Sequence, residues 1–258
     1  MSGQADAVPG TLTHAVVIRK VWHDAPMGEL TILYQDEHYI AVDKPAGLLV
    51  HRTRISEDNR FVLQLLRDQI GRRVYPVHRL DRPTSGVLVF ALDSDAARRL
   101  VQLFEQRQVE KRYLAVVRGY TDQAALIDYP LREEPHKPAQ AAVTGYRRLA
   151  TVELPIAVGR YATARYSLLE VRPATGRMHQ IRKHMKHIFH PIVGDTTHGD
   201  GRHNQLFREQ FGIYRLLLMA TGLEFRHPYS GVDLSIAAAP DGELKGLFER
   251  LGFAGETE

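Results

Sequence analysis

An α+β fold is predicted for this 258-residue chain, on three observations. Short β-rich runs outnumber amphipathic helical ones, they do not alternate regularly with helices, and Gly and Pro punctuate the intervals between them. With 44% hydrophobic residues the chain can bury a substantial core, and a bilobed single domain is the economical arrangement.

Residues 1–29 mix Gly3, Pro9, Gly10, Pro26 and Gly28 with little periodicity and read as a loosely ordered N-terminal extension. Within it Val16, Val17 and Ile18 can add an edge strand, and Met27 offers an alternative start. Residues 30–258 form the ordered domain. Thr31–Tyr34 and Tyr39–Val42 flank the polar Gln35-Asp36-Glu37-His38 turn as a hairpin. Phe61–Ile70 places Val62, Leu65, Leu66 and Ile70 on one helical face and stops at Gly71. A second helix is expected from Ser94 to Gln108, with Ala97, Leu100, Val101 and Phe104 inward and Arg98, Arg99, Glu105 and Arg107 outward. Further strands are expected at Val87–Leu92, Arg112–Val117, Val143–Glu153, Arg165–Val171, Leu216–Phe225 and Val232–Ala237. Leu244, Leu247, Phe248 and Leu251 give a short C-terminal amphipathic helix.

The formal net charge is +4 and the isoelectric point about 9.3, and thirteen histidines gain charge wherever phosphates raise their affinity for protons. An anionic partner fits this balance. The absence of cysteine excludes disulfides, Cys-ligated zinc, iron–sulfur clusters and thiol nucleophiles, and suits a reducing compartment. No run approaches ~18 consecutive apolar residues and no secretory signal opens the chain, so a soluble, cytoplasmic protein without membrane contact is expected.

Three segments can carry chemistry. His78-Arg79-Leu80-Asp81-Arg82-Pro83-Thr84-Ser85-Gly86 is a polar loop running into the apolar strand at Val87. A carboxylate flanked by two arginines is favoured in its ionised form, which suits a nucleophile and not a general acid. A structural salt bridge in a turn fits the same residues, and on the local sequence alone is the favoured reading. In the second segment, alternation puts Lys111, Tyr113 and Ala115 on one strand face; Tyr113 can stack on a base or move a proton, or be ordinary half-buried packing.

The third segment, Thr175 to His187, reads as a turn and a helix. Ile181, Met185 and Ile188 form its apolar stripe, and Lys183, Lys186, His187 and His190 face the opposite way, toward phosphates. Arg182 lies at the border, able to reach inward to a partly buried carboxylate. His179, His184, His187 and His190 invite a zinc reading, but no nearby carboxylate completes a three-ligand set. P-loop, dinucleotide-binding and serine-esterase motifs are missing from the sequence.

These segments, in this order, resemble the RluA-type family of RNA pseudouridine synthases. His78-Arg79-Leu80-Asp81 with Thr84-Ser85-Gly86 is similar to its catalytic loop, and Lys111-x-Tyr113 ending at Gly119 to its tyrosine strand. Thr175-Gly176-Arg177-x-His179-Gln180-Ile181-Arg182 with His184, then His190-Pro191-Ile192-x-Gly194-Asp195, is similar to its third motif. The resemblance spans about Leu30 to Pro240. Gln69-Ile70-Gly71, Asp128 to Leu131, Gly159-Arg160-Tyr161, His198-Gly199-Asp200 and Phe211-Gly212 resemble the branch acting on uridine 65 of transfer RNA.

The resemblance implies the pseudouridine synthase fold, a bilobed mixed or antiparallel sheet flanked by helices with a central RNA-binding cleft; residues 1–29 are too short for the separate S4 domain that many relatives carry, so none is expected. It implies Asp81 as the essential carboxylate, either adding to the nucleotide or taking a ribose proton. Arg182 is implied as its ion-pair partner, and Tyr113 as packing against the flipped base and helping to remove the C5 proton. Arg79, Lys111, Arg177, His179, Lys183 and Lys186 are the expected RNA-binding residues. No metal and no organic cofactor is implied, and a monomer acting on RNA without an obligate protein partner is expected. The competing readings are an enzyme acting on 23S ribosomal RNA and a non-catalytic RNA-binding protein. A glycoside hydrolase needs a second carboxylate, and none stands out; Glu133-Glu134 reads as a solvated loop.

Overall fold

The computed structural model describes residues 16–18, 28–51, 60–134 and 136–255. The remainder of the expected extension, with Met27, lies outside the described residues.

The hairpin forms as expected from β2 (Thr31–Gln35) and β3 (Tyr39–Lys44), which follow the edge strand β1 (Val16–Ile18). Asp36 Oδ1 closes its turn by accepting the N–H groups of His38 and Tyr39, both at 2.7 Å. Then come α1 (Val62–Ile70), β4 (Tyr75–Pro76), β5 (Ser85–Ala91), α2 (Ser94–Glu105) and β6 (Glu110–Arg118). Gly71 ends α1 in the left-handed conformation. The chain continues through β7 (Ala124–Asp128), β8 (Val143–Leu154), β9 (Ala164–Pro173), α3 (Gln180–His187) and α4 (Gly201–Phe211). It finishes with β10 (Leu218–Arg226), β11 (Asp233–Ala237) and α5 (Gly242–Arg250).

Three differences from the sequence reading have local causes. Helix α2 stops before Gln108 because Arg107 adopts φ 60° and Gln108 N–H turns back to the Leu103 carbonyl at 2.9 Å. That is a Schellman stop without the glycine that would announce it. Helix α4 was not expected, since Leu206 and Phe207 are its chief buried apolar residues and too few to make a stripe; the Asp200 carboxylate, accepting Arg202 N–H at 3.0 Å, caps it. Strand β7 is a short edge whose Leu126 faces solvent.

Among the described residues, eleven strands form one mixed sheet with the main order β2-β3-β5-β10-β6-β9-β8-β7. Strand β1 lies parallel to β11, which pairs with β10, and β4 pairs with β5. One face packs α2, α4 and α5 over a continuous core that includes Val87, Val89, Leu100, Phe207 and Phe248. The opposite face is divided. Helix α1 covers Ile40, Val42, Leu88 and Phe90, and α3 covers Val117, Leu169 and Val171 through Ile181 and Met185. Tyr113 packs against both halves, so the expected two lobes are two cores on one sheet face with Tyr113 at their junction. Strand β5, buried on both faces, is accordingly an unbroken apolar run after Ser85.

Candidate active site

Sheet register brings the three motifs together. Ala220 of β10 pairs with Gly86 on one side and with Tyr113 on the other, and Tyr113 in turn pairs with Val171, a few residues before the turn into α3. The start of β5, the middle of β6 and the end of β9 therefore lie in one row. Gly86 makes this possible: at φ 107° it lies so close to β10 that a Cβ would sit 2.0 Å from the Ala220 carbonyl oxygen.

The loop before β5 is held from behind by Lys44, which is fully buried and donates from Nζ to the carbonyls of Leu48 at 2.7 Å, Pro45 at 2.8 Å and Arg82 at 3.1 Å. Burial pushes this ammonium down to about 7. His78 Nε2 accepts the Val89 N–H at 3.0 Å, so the proton of the neutral ring resides on Nδ1, and burial holds the group down to about 3. Its ring stacks on Phe104, with 4.9 Å between centroids. Arg215 fixes the far end of the loop, donating from Nη2 to Ser85 Oγ at 2.6 Å.

Asp81 projects from this loop into a cleft of about 660 Å³ between the two lobes, 19% exposed at its side chain. Beneath it lies Arg182, 4% exposed, whose Nη1 donates to Asp81 Oδ2 at 3.2 Å. The same guanidinium forks onto Asp195 through Nε at 2.7 Å and Nη2 at 2.8 Å. Asp195 is a structural carboxylate that the sequence reading did not single out, and it is not the second cleft carboxylate a glycoside hydrolase would need. It stood in the third motif, but only the fold shows that it grips the guanidinium and lies shielded from the cleft. Burial raises its proton affinity, yet the Arg182 bonds and the N–H groups of His198 and Thr197, each at 2.9 Å, more than offset this and hold it below the usual carboxylate range.

Tyr113 lines the cleft with Lys111, as alternation required. Burial, reinforced by the charge of Asp81, raises the Tyr113 phenol well above its ordinary value, so it stands in the cleft as a neutral hydroxyl. Burial pushes Lys111 down to about 8, and its Nζ donates to the Thr175 carbonyl at 3.0 Å, joining β6 to the turn before α3. That turn is rigid: Gln180 Oε1 accepts from Thr175 Oγ1 at 2.6 Å and from Arg177 N–H at 3.0 Å.

The remaining expected residues divide into groups. Arg79, Arg177 and His179 line the cleft, Arg79 as an exposed side chain at its mouth. Among the described residues Lys183 and Lys186 do not line it, because they sit on the face of α3 opposite Ile181 and Met185 while the cleft meets only the N-terminus of that helix. Lys183 donates to the Arg132 carbonyl at 2.8 Å. His184 is a satisfied core residue: Nε2 donates to the Tyr129 carbonyl at 3.0 Å, and Nδ1 accepts from Thr144 Oγ1 at 2.9 Å. His187 stacks on Tyr129, and His190 Nδ1 donates to the Arg118 carbonyl at 2.8 Å instead of facing phosphate. Glu133 pairs with Lys137 as a loop residue should, but it also reaches the cleft wall. Among the described residues no group of three or more His, Cys, Asp or Glu is placed to hold a metal ion, and no helix is long and apolar enough to cross a membrane.

The family model for RNA pseudouridylate synthase matches residues 38–187, which carry the Asp81 loop, the Tyr113 strand and Arg182. The tRNA pseudouridine synthase C of Vibrio cholerae serotype O1 is 54% identical over 235 residues, covering 87% of this chain and 96% of that protein. That of Vibrio parahaemolyticus serotype O3:K6 is 50% identical over 233 residues, covering 86% and 95%. Among solved structures, human RNA Pseudouridylate Synthase Domain Containing 4 superposes with a TM-score of 0.67 at 25% identity, covering 86% of this chain and 93% of that one. With a family match over more than half its length and relatives at half identity along most of it, the chain belongs to the RNA pseudouridylate synthases.

Proposed function

We propose that this protein isomerises a uridine of transfer RNA to pseudouridine, with Asp81 as its catalytic carboxylate. The observation that carries the reading is the ion pair of Asp81 with the buried Arg182 at the floor of a cleft that Tyr113 also lines. Asp195 is shut away with Arg182, whereas Asp81 keeps one edge in the cleft, where it can meet a nucleotide.

The reaction breaks the uracil N1–C1′ bond, turns the base and joins C5 to C1′, with no net oxidation or hydrolysis. Arg182 occupies Asp81 Oδ2, which leaves Oδ1 directed to the nucleotide, whether it adds covalently or accepts a ribose proton. The target base must leave its stack to enter such a site, and the cleft has the volume of a small-ligand pocket. Arg79 and Arg177 at its walls contact the flanking phosphates, and Lys183 and Lys186 contact RNA running along α3 beyond it. Tyr113 packs against the extruded base. When Asp81 is consumed, by adding to the nucleotide or by protonation, the charge that helped to raise the Tyr113 phenol is removed, so the phenol more readily gives its proton to solvent and, as phenolate, can accept the C5 proton.

Transfer RNA as substrate is supported by the names of the half-identical relatives, and position 65 by the sequence resemblance. Residues 30–258 are taken as one catalytic unit, since the proposed groups all lie within them, and a monomer acting in the cytoplasm completes the proposed reading. The test is to offer unmodified transfer RNA and 23S ribosomal RNA separately and map the product. Pseudouridine at position 65 of transfer RNA supports the reading, and modification confined to ribosomal RNA overturns the substrate.

A further inference from the structure

His179 precedes α3 with φ 56°, a left-handed conformation uncommon for a residue other than glycine, and this turns its ring toward Asp81, with Nε2 4.0 Å from Oδ2. Its other nitrogen, Nδ1, lies 3.0 Å from Nε2 of His198. His198 is itself held by the turn that wraps Asp195: its N–H and that of Thr197 donate to Asp195 Oδ1, and Gly199 N–H donates to the Asp195 carbonyl at 3.1 Å. Gly199 is required there, because a Cβ would lie 2.1 Å from that carbonyl oxygen. Asn204 closes the turn by donating to the same carbonyl at 2.9 Å. The turn gripping Arg182 thus also fixes the imidazole beside Asp81.

Burial lowers the proton affinity of both histidines and outweighs the opposing pull of Asp81 on His179 and of Asp195 on His198, which favours neutral rings with one N–H each at neutral pH. Of the two ways to share the 3.0 Å bond, only one places an N–H of His179 toward the Asp81 carboxylate; the other aims a lone pair at it. The favoured arrangement has His198 Nε2–H donating to His179 Nδ1, which leaves the proton of His179 on Nε2.

Resting on the reading of Asp81 as the catalytic carboxylate, we propose that His198 is a positioning residue, which donates to His179 and so fixes the tautomer whose Nε2–H faces Asp81. Asp195 then steadies Asp81 by two routes, one through Arg182 and one through His198 and His179.

The test uses the full-length protein with His198→Ala, His198→Gln and His179→Ala, in single-turnover tritium release from C5-labelled transfer RNA, alongside tRNA affinity and ring-nitrogen NMR at neutral pH. Glutamine can carry a donor N–H about as far as the imidazole Nε2. His198→Ala is expected to slow turnover about 10- to 100-fold with tRNA affinity retained. His198→Gln is expected to recover most of that rate, and His198→Ala to add little in a His179→Ala background. NMR of the wild-type protein is expected to show His179 protonated at Nε2 and bare at Nδ1. Wild-type turnover by His198→Ala, a loss residing wholly in tRNA affinity, or His179 protonated at Nδ1 would each overturn the proposal. If the wild-type protein releases no tritium from any transfer RNA, the proposed activity fails, and the NMR tautomer still decides the histidine pair.

Discussion

Asp195 holds Arg182 with both carboxylate oxygens, at 2.7 and 2.8 Å, and the remaining Nη1 of that guanidinium reaches Asp81 at 3.2 Å. The inner pair is almost wholly buried and the outer carboxylate is not. Removing Arg182 strands a buried charge, so Arg182→Ala is expected to cost about 3–5 kcal/mol of stability as well as activity. Replacing both members, as in Arg182→Met with Asp195→Leu, restores much of the stability and none of the turnover. Urea unfolding of the three proteins measures this; equal stability of Arg182→Ala and wild type would show that the fork is not formed.

Tyr113→Phe keeps the ring between the two lobes and deletes the hydroxyl. We expect tRNA affinity to be retained and the chemical step to slow by about 10²–10⁴-fold, the usual range for a lost proton-transfer group. Single-turnover rates at saturating RNA distinguish the roles, and an unchanged rate would leave Tyr113 with stacking alone.

The half-buried His78 gives the fold an acid-sensitive joint. Its group titrates near 3 in the fold, against an ordinary 6.5, so between those values the unfolded chain holds a proton that the folded chain does not. Stability therefore falls as pH drops from 6.5 toward 3, at about 1.4 kcal/mol per pH unit for this one site. His78→Gln can still accept the Val89 N–H but does not titrate, so its stability should be flatter by that slope between about pH 4.5 and 6. Burial also lowers His184 and His203, which are common to both proteins, so the difference isolates His78. Parallel curves would show that His78 titrates freely in the fold.

Gly86→Ala tests the register that gathers the site. With a Cβ 2.0 Å from the Ala220 carbonyl, and φ at 107°, β5 and β10 must separate. The variant is expected to be unfolded or to lose RNA modification together with native-state amide protection in β10. A fully active, equally stable variant would contradict this register.

Most strands, α1 and the C-terminal helix were legible because β-rich runs and helical stripes mark the buried residues, as the buried Leu234 and Ile236 alternating with Asp233 and Ser235 show in β11. The pairing of Arg182 with Asp81 followed from family resemblance, and no local pattern states it. Hidden from the sequence were contacts whose partners are distant along the chain. Asp195 looks like any turn carboxylate until Arg182 folds onto it, and His198 has no pattern tying it to His179. The stop of α2 at Arg107 and the turn into α3 at His179 both use left-handed residues other than glycine, which sequence reading assigns elsewhere.

The most direct test of the central claim replaces Asp81 with asparagine, which keeps the shape and removes the charge. Tritium release from C5-labelled transfer RNA and tRNA affinity are measured on the same preparation, with folding checked by thermal unfolding. The account predicts release at background with RNA binding retained; release at the wild-type rate by folded Asp81→Asn would contradict it.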